Sequence, residues 1–354
     1  MTGDRGRAAP ARRRLLVFLA VVALCVGGTV TYLLVQRQGD VEAAAAAAAD
    51  EAGRERLAVA DVQAVPHVVV RSTEPGPSSG SVALVPLDDP AGPRAVLDLA
   101  CDRVAAARGA AVCLQTLPGI VPAYRAVFLD GEYRETGSAD LPGLPSRARV
   151  SAEGSYAATT VFVTGHAYTD AQFSTETVVT DLRDGDPTPL GNLESWTATW
   201  ADGTRVDAED RNFWGVSFVG DGPGFYATLG TGGARHLVRG DADERTLTVV
   251  AEDGACPSVS PDGSTVVMKE TDPVSRAAVL TAYDVSTGER TRMAEGRAVD
   301  DQVAWWGDRV LYGVGSGLAD SGAADVWVAD PLGGGQPAIL VPDASSPSVV
   351  LPGN

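Results

Sequence analysis

One short sentence of residues recurs through most of this chain and constrains its fold more than any single motif. A polar turn with glycine leads into an apolar, β-rich run, which ends at an aspartate and a second Gly- or Pro-containing turn. The first turn appears as Ser151-Ala152-Glu153-Gly154, Gly220-Asp221-Gly222, Ser260-Pro261-Asp262-Gly263 and Gly307-Asp308, followed by Tyr156 to Val163, Phe225 to Leu229, Thr265 to Met268 and Val310 to Tyr312. The second appears at Asp88 to Gly92, Asp130-Gly131, Asp181 to Gly185, Asp284 to Gly288 and Asp330 to Gly333. Aspartate folds back on its own backbone and glycine accepts a positive φ, so both mark hairpin turns.

The spacing of these turns sets the architecture. The glycines at 109, 154, 222, 263 and 307 are separated by 45, 68, 41 and 44 residues. A period of about 40 to 50 with four strands per unit is the mark of a β-propeller. His67 to Asn354 is 288 residues, or 48 per unit for six blades and 41 for seven. Six is the expectation, with the long step carrying an insertion around residues 184–211. Seven would require that step to hide a blade. The tail Ser346-Pro347-Ser348-Val349-Val350 repeats the form of Cys256-Pro257-Ser258-Val259-Ser260. A last strand that begins the first blade would clasp the ring and remove its open edges.

Ahead of the repeats, Leu15 to Val35 is 21 residues without a charge, enough to cross about 30 Å of hydrocarbon. Arg12-Arg13-Arg14 precedes it, so the positive-inside bias puts residues 1–14 in the cytoplasm as a basic tail and everything after Gln36 outside. A cleaved signal peptide is the competing reading, with small-residue sites in Ala43 to Ala49, and would make the protein secreted. Residues 36–66 are alanine-rich and helix-compatible apart from Gly53, which predicts a helical stalk that Pro66 ends. The propeller is then residues 67–354.

The net charge of −18 conceals a division. Five arginines and one acid lie before residue 36, while the remainder holds 23 basic and 45 acidic residues. An acidic body of that kind repels nucleic acid and anionic lipid surfaces, so neither nucleic acid nor peripheral lipid is an expected partner. A single lysine against 27 arginines points to a GC-rich bacterial genome.

No residues suggest a catalytic centre, a cofactor or a metal. The cysteines and histidines lack ligand spacing. His67, His166 and His236 fall in three different repeats. Gly76 to Gly80 formally matches a nucleophile elbow, but no strand-to-helix context surrounds it. Cys101 and Cys113 lie symmetrically about Ala107; across a hairpin, and outside the cytoplasm, they would form a disulfide, the alternative being two buried thiols.

In a propeller the starts of the innermost strands gather about a central channel. Here these positions hold Arg147 and Arg149, then Asp210, Arg211 and Asn212, then Asp300, Asp301 and Gln302, with Ser345 and Ser346 closing the circuit. Charges and amides converging there make a candidate binding face; blade-to-blade bonding is the competing role. Phe213, Trp214, Trp305 and Trp306 read as packing between blades.

The string Cys256-Pro257-Ser258-Val259-Ser260-Pro261-Asp262-Gly263, with Tyr283-Asp284-Val285-Ser286-Thr287-Gly288-Glu289 downstream, resembles the repeat of TolB-like six-bladed propellers. Pro145 to Ser151, Asn212 to Val216 and Val299 to Gln302 extend the resemblance, from about Val68 onward, to actinobacterial membrane-anchored TolB-like translocation proteins. With the anchor and the channel face, the expected function is a non-enzymatic, extracytoplasmic module, held in the cell membrane by one helix, binding a protein, peptide or envelope component. The alternatives are a propeller hydrolase or lyase, and an accessory subunit of a membrane complex.

Overall fold

A computed structural model describes residues 8–165, 173–299, 303–315 and 322–353. It divides into two compact units, residues 1–54 with 75–77, and the rest of the chain. The first is one continuous helix, α1 (Ala8–Gly53). Its apolar residues from Leu15 to Val35 are exposed, and it is long and apolar enough to cross a membrane.

The helical stalk expected to run as far as Pro66 stops at Gly53. Glycine carries the largest backbone entropy cost of helix formation after proline is set aside. Beyond it, Leu57, Val59 and Val62 have an apolar cluster to join, and Val62 is buried there on a five-residue helix, α2 (Val59–Gln63). The neck is therefore part of the second unit.

The described residues of that unit form 25 strands in six sheets, a six-bladed β-propeller. Blade 1 holds β1 (His67–Ser72), β2 (Ser81–Pro86) and β3 (Ala95–Ala100). Blade 2 is β4 (Arg103–Ala106), β5 (Ala110–Leu117), β6 (Ala123–Asp130) and β7 (Glu135–Leu141). Blade 3 is β8 (Leu144–Val150), β9 (Tyr156–Thr164), β10 (Ser174–Asp181) and β11 (Thr188–Asn192). After β12 (Thr197–Thr199), blade 4 is β13 (Asn212–Phe218), β14 (Gly224–Thr231), β15 (Ala234–Asp241) and β16 (Thr246–Glu252). Blade 5 is β17 (Ala255–Val259), β18 (Thr265–Thr271), β19 (Ala278–Asp284) and β20 (Arg290–Arg292). Blade 6 is β21 (Ala304–Trp306), β22 (Arg309–Gly315), β23 (Ala324–Ala329) and β24 (Ala338–Val341). The final strand, β25 (Ala344–Val350), returns to pair antiparallel with β1, as Val69↔Ser348 and His67↔Val350, and completes blade 1.

Packing explains why the strands read as continuous apolar runs. Each blade is covered on both faces by its neighbours, so both sides of the pleat are buried. Val68 and Val70 join blade 6 residues Leu311 and Val326, while Val69 between them joins Val104, Cys113 and Val127 of blade 2. Equivalent clusters fill the interfaces between blades 2 and 3, 3 and 4, 4 and 5, and 5 and 6.

The long 68-residue step holds no seventh blade. It carries the turn Leu193–Ser195 and β12, which pairs parallel to β16 as a fifth strand of blade 4. The first turns also stack from blade to blade. Asp221, in blade 4, accepts from Ser151 Oγ at 2.7 Å, from Ser155 Oγ, and from the amides of Glu153 and Ser155 at 2.9 and 3.2 Å in blade 3. Gly109 is required by the same stacking, because an added Cβ would fall on the Glu153 carbonyl.

Candidate functional site

The innermost strands of blades 2 and 3 bring three arginines to one place, beside β25 of blade 1. Arg103 opens β4; Arg147 and Arg149 stand two apart on β8 and so share a face of that strand. With Val104, Ala148, Ser346 and Pro347 they line a cavity of about 10 Å³, room for a single water. The bulge between Pro145 and Arg147 sets their register. Ser346 and Cys256 hold the left-handed conformation ahead of Pro347 and Pro257, with φ of 53° and 50°. The two similar tails thus make the same bend in the inner strands of blades 1 and 5.

Hydrogen bonds join these strands around and across the channel. Arg103 Nε donates to the Ser146 carbonyl at 2.8 Å, and Arg147 Nη1 to the same oxygen at 3.4 Å. Arg149 Nη2 donates to the carbonyl of Val303, which precedes β21. Blade 6 lies opposite blade 3 in a ring of six, so this bond spans the channel. Ser258 Oγ reaches the same Val303 oxygen at 2.6 Å, and Trp305 Nε1 donates to the Ser258 carbonyl at 3.0 Å.

The surroundings are positive. Burial lowers the pKa of Arg71, the charge of Arg103 lowers it further, and Asp102 partly offsets both. Arg71 Nε is held by the Cys101 carbonyl at 2.9 Å.

Other residues expected at this face are engaged elsewhere. Asn212 is buried, its Oδ1 accepting from the Thr175 amide at 3.0 Å and the Thr175 hydroxyl at 2.7 Å in blade 3. Asp210 ties down the β14–β15 turn, accepting from Thr231 Oγ1 and the Gly232 amide, both at 2.7 Å; these bonds hold its pKa low. Arg211 donates to the Glu194 carbonyl at 2.9 Å. Ser345 pairs with Arg71 in the closing sheet. Phe213 and Trp214 are buried and Trp305 and Trp306 half-buried. Asp300, Asp301 and Gln302, and His166, lie outside the described residues.

Arg103 was not among the residues expected at the channel. Its signal was present: Asp102-Arg103 stands directly before the apolar run that ends at the Gly109 turn, the position of an inner-strand start.

Cys101 and Cys113 are joined by a disulfide with a Cα–Cα distance of 5.4 Å. The hairpin is not centred on Ala107. The turn closes with Ala107 N bonded to Ala110 O, so the register places Val104 opposite Cys113. Cys101 lies just ahead of β4, its amide bonded to the Gly80 carbonyl of blade 1. The bridge therefore fastens the crossover between blades 1 and 2 to β5. Cys256 is buried and unbonded to sulfur.

His67 is buried in β1 with Nδ1 2.8 Å from the Val65 carbonyl, and His236 in β15 stacks edge-on to Trp200 at 5.1 Å. Among the described residues no group of three or more His, Cys, Asp or Glu side chains is placed to hold a metal ion.

No family model and no curated protein matches this sequence. Solved structures do. TolB from Acinetobacter baumannii is 16 % identical with a TM-score of 0.53, covering 81 % of this chain and 66 % of its own. This chain thus spans just under two thirds of that protein. A chain of a nidogen/laminin complex is 10 % identical with a TM-score of 0.51, covering 81 % and 98 %. A periplasmic gluconolactonase from Pseudomonas aeruginosa is 15 % identical with a TM-score of 0.46, covering 80 % and 99 %. At these identities the likeness establishes the fold alone.

Proposed function

We propose that this chain is a membrane-anchored, non-catalytic propeller of the TolB-like kind, displayed outside the cytoplasm, that engages a protein, peptide or envelope partner through its channel face. The observation that carries this reading is the channel itself. Inner-strand arginines gather there beside Ser346 and Pro347, and Arg149 bonds across to blade 6, which supports a rigid, cationic patch on an otherwise acidic body. Rigidity favours recognition, because little ordering entropy is lost on binding. The uncharged, exposed stretch of α1 and the arginines before it supply an anchor with the propeller outside.

Site-specific photo-cross-linking in intact cells tests it. A benzophenone side chain at Arg103 should give one discrete cross-linked product, while the same group at exposed Asp207 in the blade 4 insertion should give none. Equal labelling from both positions, or none from Arg103 in a protein of unchanged melting temperature, would refute the channel face as the binding surface.

A further inference from the structure

We propose that the tip of the β5–β6 hairpin, Leu117 to Pro122, is a lipid-contacting loop that dips into the bilayer holding α1. The proposal rests on the anchored reading above. Ile120 is 107 % exposed, Val121 81 % and Leu117 38 %. A lone exposed apolar side chain is ordinary. These three share a six-residue tip with Pro118, Gly119 and Pro122, and the tip holds no charge. Two of its six positions are prolines without an N–H, so fewer backbone donors would be stranded in a medium that cannot bond them.

Behind the tip, Tyr124 and Arg125 begin the body of β6, with Arg125 Nε bonded to Gln115 Oε1 at 2.7 Å. Apolar tip, then tyrosine and arginine, is the order in which an interfacial segment meets acyl chains, headgroups and water. A bilayer rather than a protein pocket is the occupant because the chain carries its own need for one, in the exposed apolar stretch of α1. A tether keeps that bilayer at high effective concentration, so a contact of two or three side chains suffices. The tip carries no charge and the net charge of −18 opposes electrostatic adsorption, so the contact is apolar and stronger on zwitterionic than on anionic lipid.

Full-length protein in phosphatidylcholine vesicles, with an environment-sensitive fluorophore on single cysteines and nitroxide-bearing lipids as quencher, decides it. Three positions are compared, all with Cys256→Ser so that one free thiol remains: native Cys25 in α1; Val121→Cys with Cys25→Ser; and Ala152→Cys with Cys25→Ser, in a turn at the opposite end of the strands. Labels at 25 and 121 should lose fluorescence to the nitroxide lipid and the label at 152 should not. Ile120→Asp should abolish the loss at 121, and phosphatidylglycerol-rich vesicles should weaken it. A label at 121 as unquenched as that at 152, with 25 quenched, overturns the loop proposal and leaves the anchor standing. An unquenched label at 25 overturns the anchor as well.

Discussion

Asp221 shows how single side chains hold neighbouring blades together. Burial raises its pKa, but the hydroxyls of Ser155 and Ser151 and the amides of Glu153 and Ser155 together hold it below the ordinary carboxylate value. The unfolded chain then binds the proton more readily than the folded one. The stabilisation is present in full above about pH 5 and is lost as pH falls past the unfolded value of about 4 and through the lowered native pKa. Asp221→Asn should therefore lower the melting temperature at pH 7 and flatten its decline between about pH 5 and 3. An unchanged slope would mean that the carboxylate contributes nothing as an ion. The arginines obey a related logic. Arg149 is placed by the carbonyl it reaches across the ring, and Arg103 by a carbonyl of the next blade. All three stand at inner-strand starts that the sequence marks, Arg103 included; the carbonyls they reach, in another blade for Arg103 and Arg149, leave no local mark.

At the scale of strands and turns, the Cys101–Cys113 bridge is the element most open to test. It closes a loop of about a dozen residues, and removing it as Cys101→Ala with Cys113→Ala should cost about 3 kcal/mol. A urea midpoint unchanged by the double substitution, or by reductant, would show that the packed interface of blades 1 and 2 already fixes this crossover. The same region shows what was legible in the sequence. The first turns at Gly109, Gly154, Gly222, Gly263 and Gly307 each fall between the first two strands of a blade, because turn chemistry is local and leaves a local mark. The returning strand was legible because Ser346-Pro347-Ser348 repeats Cys256-Pro257-Ser258, and both adopt the same bend. The hairpin register was not, since a three-residue change of pairing partner moves the turn by less than two residues and alters no composition. Nor was β12, whose parallel partner β16 lies about 50 residues on, nor the early end of α1, where three apolar residues of a polar neck find a core to join.

The second unit is a ring in which each blade covers its apolar faces with its neighbours. Each pair of neighbours shares an apolar cluster, including blades 6 and 1, and the chain's last strand supplies the innermost strand of its first blade. Closure couples the two ends of the propeller and brings Ser346 and Pro347 of β25 beside Arg103, Arg147 and Arg149. An anchor with the propeller outside the cytoplasm would put that ring where thiols oxidise. Both claims meet in a Val69→Cys, Ser348→Cys variant, since these residues are partners across β1 and β25. In intact cells, alkylated before lysis and run without reductant, the account predicts a second intramolecular disulfide and a more compact band. Free thiols at 69 and 348 beside an oxidised Cys101–Cys113 pair would contradict closure, and free thiols at all four positions would contradict the placement outside.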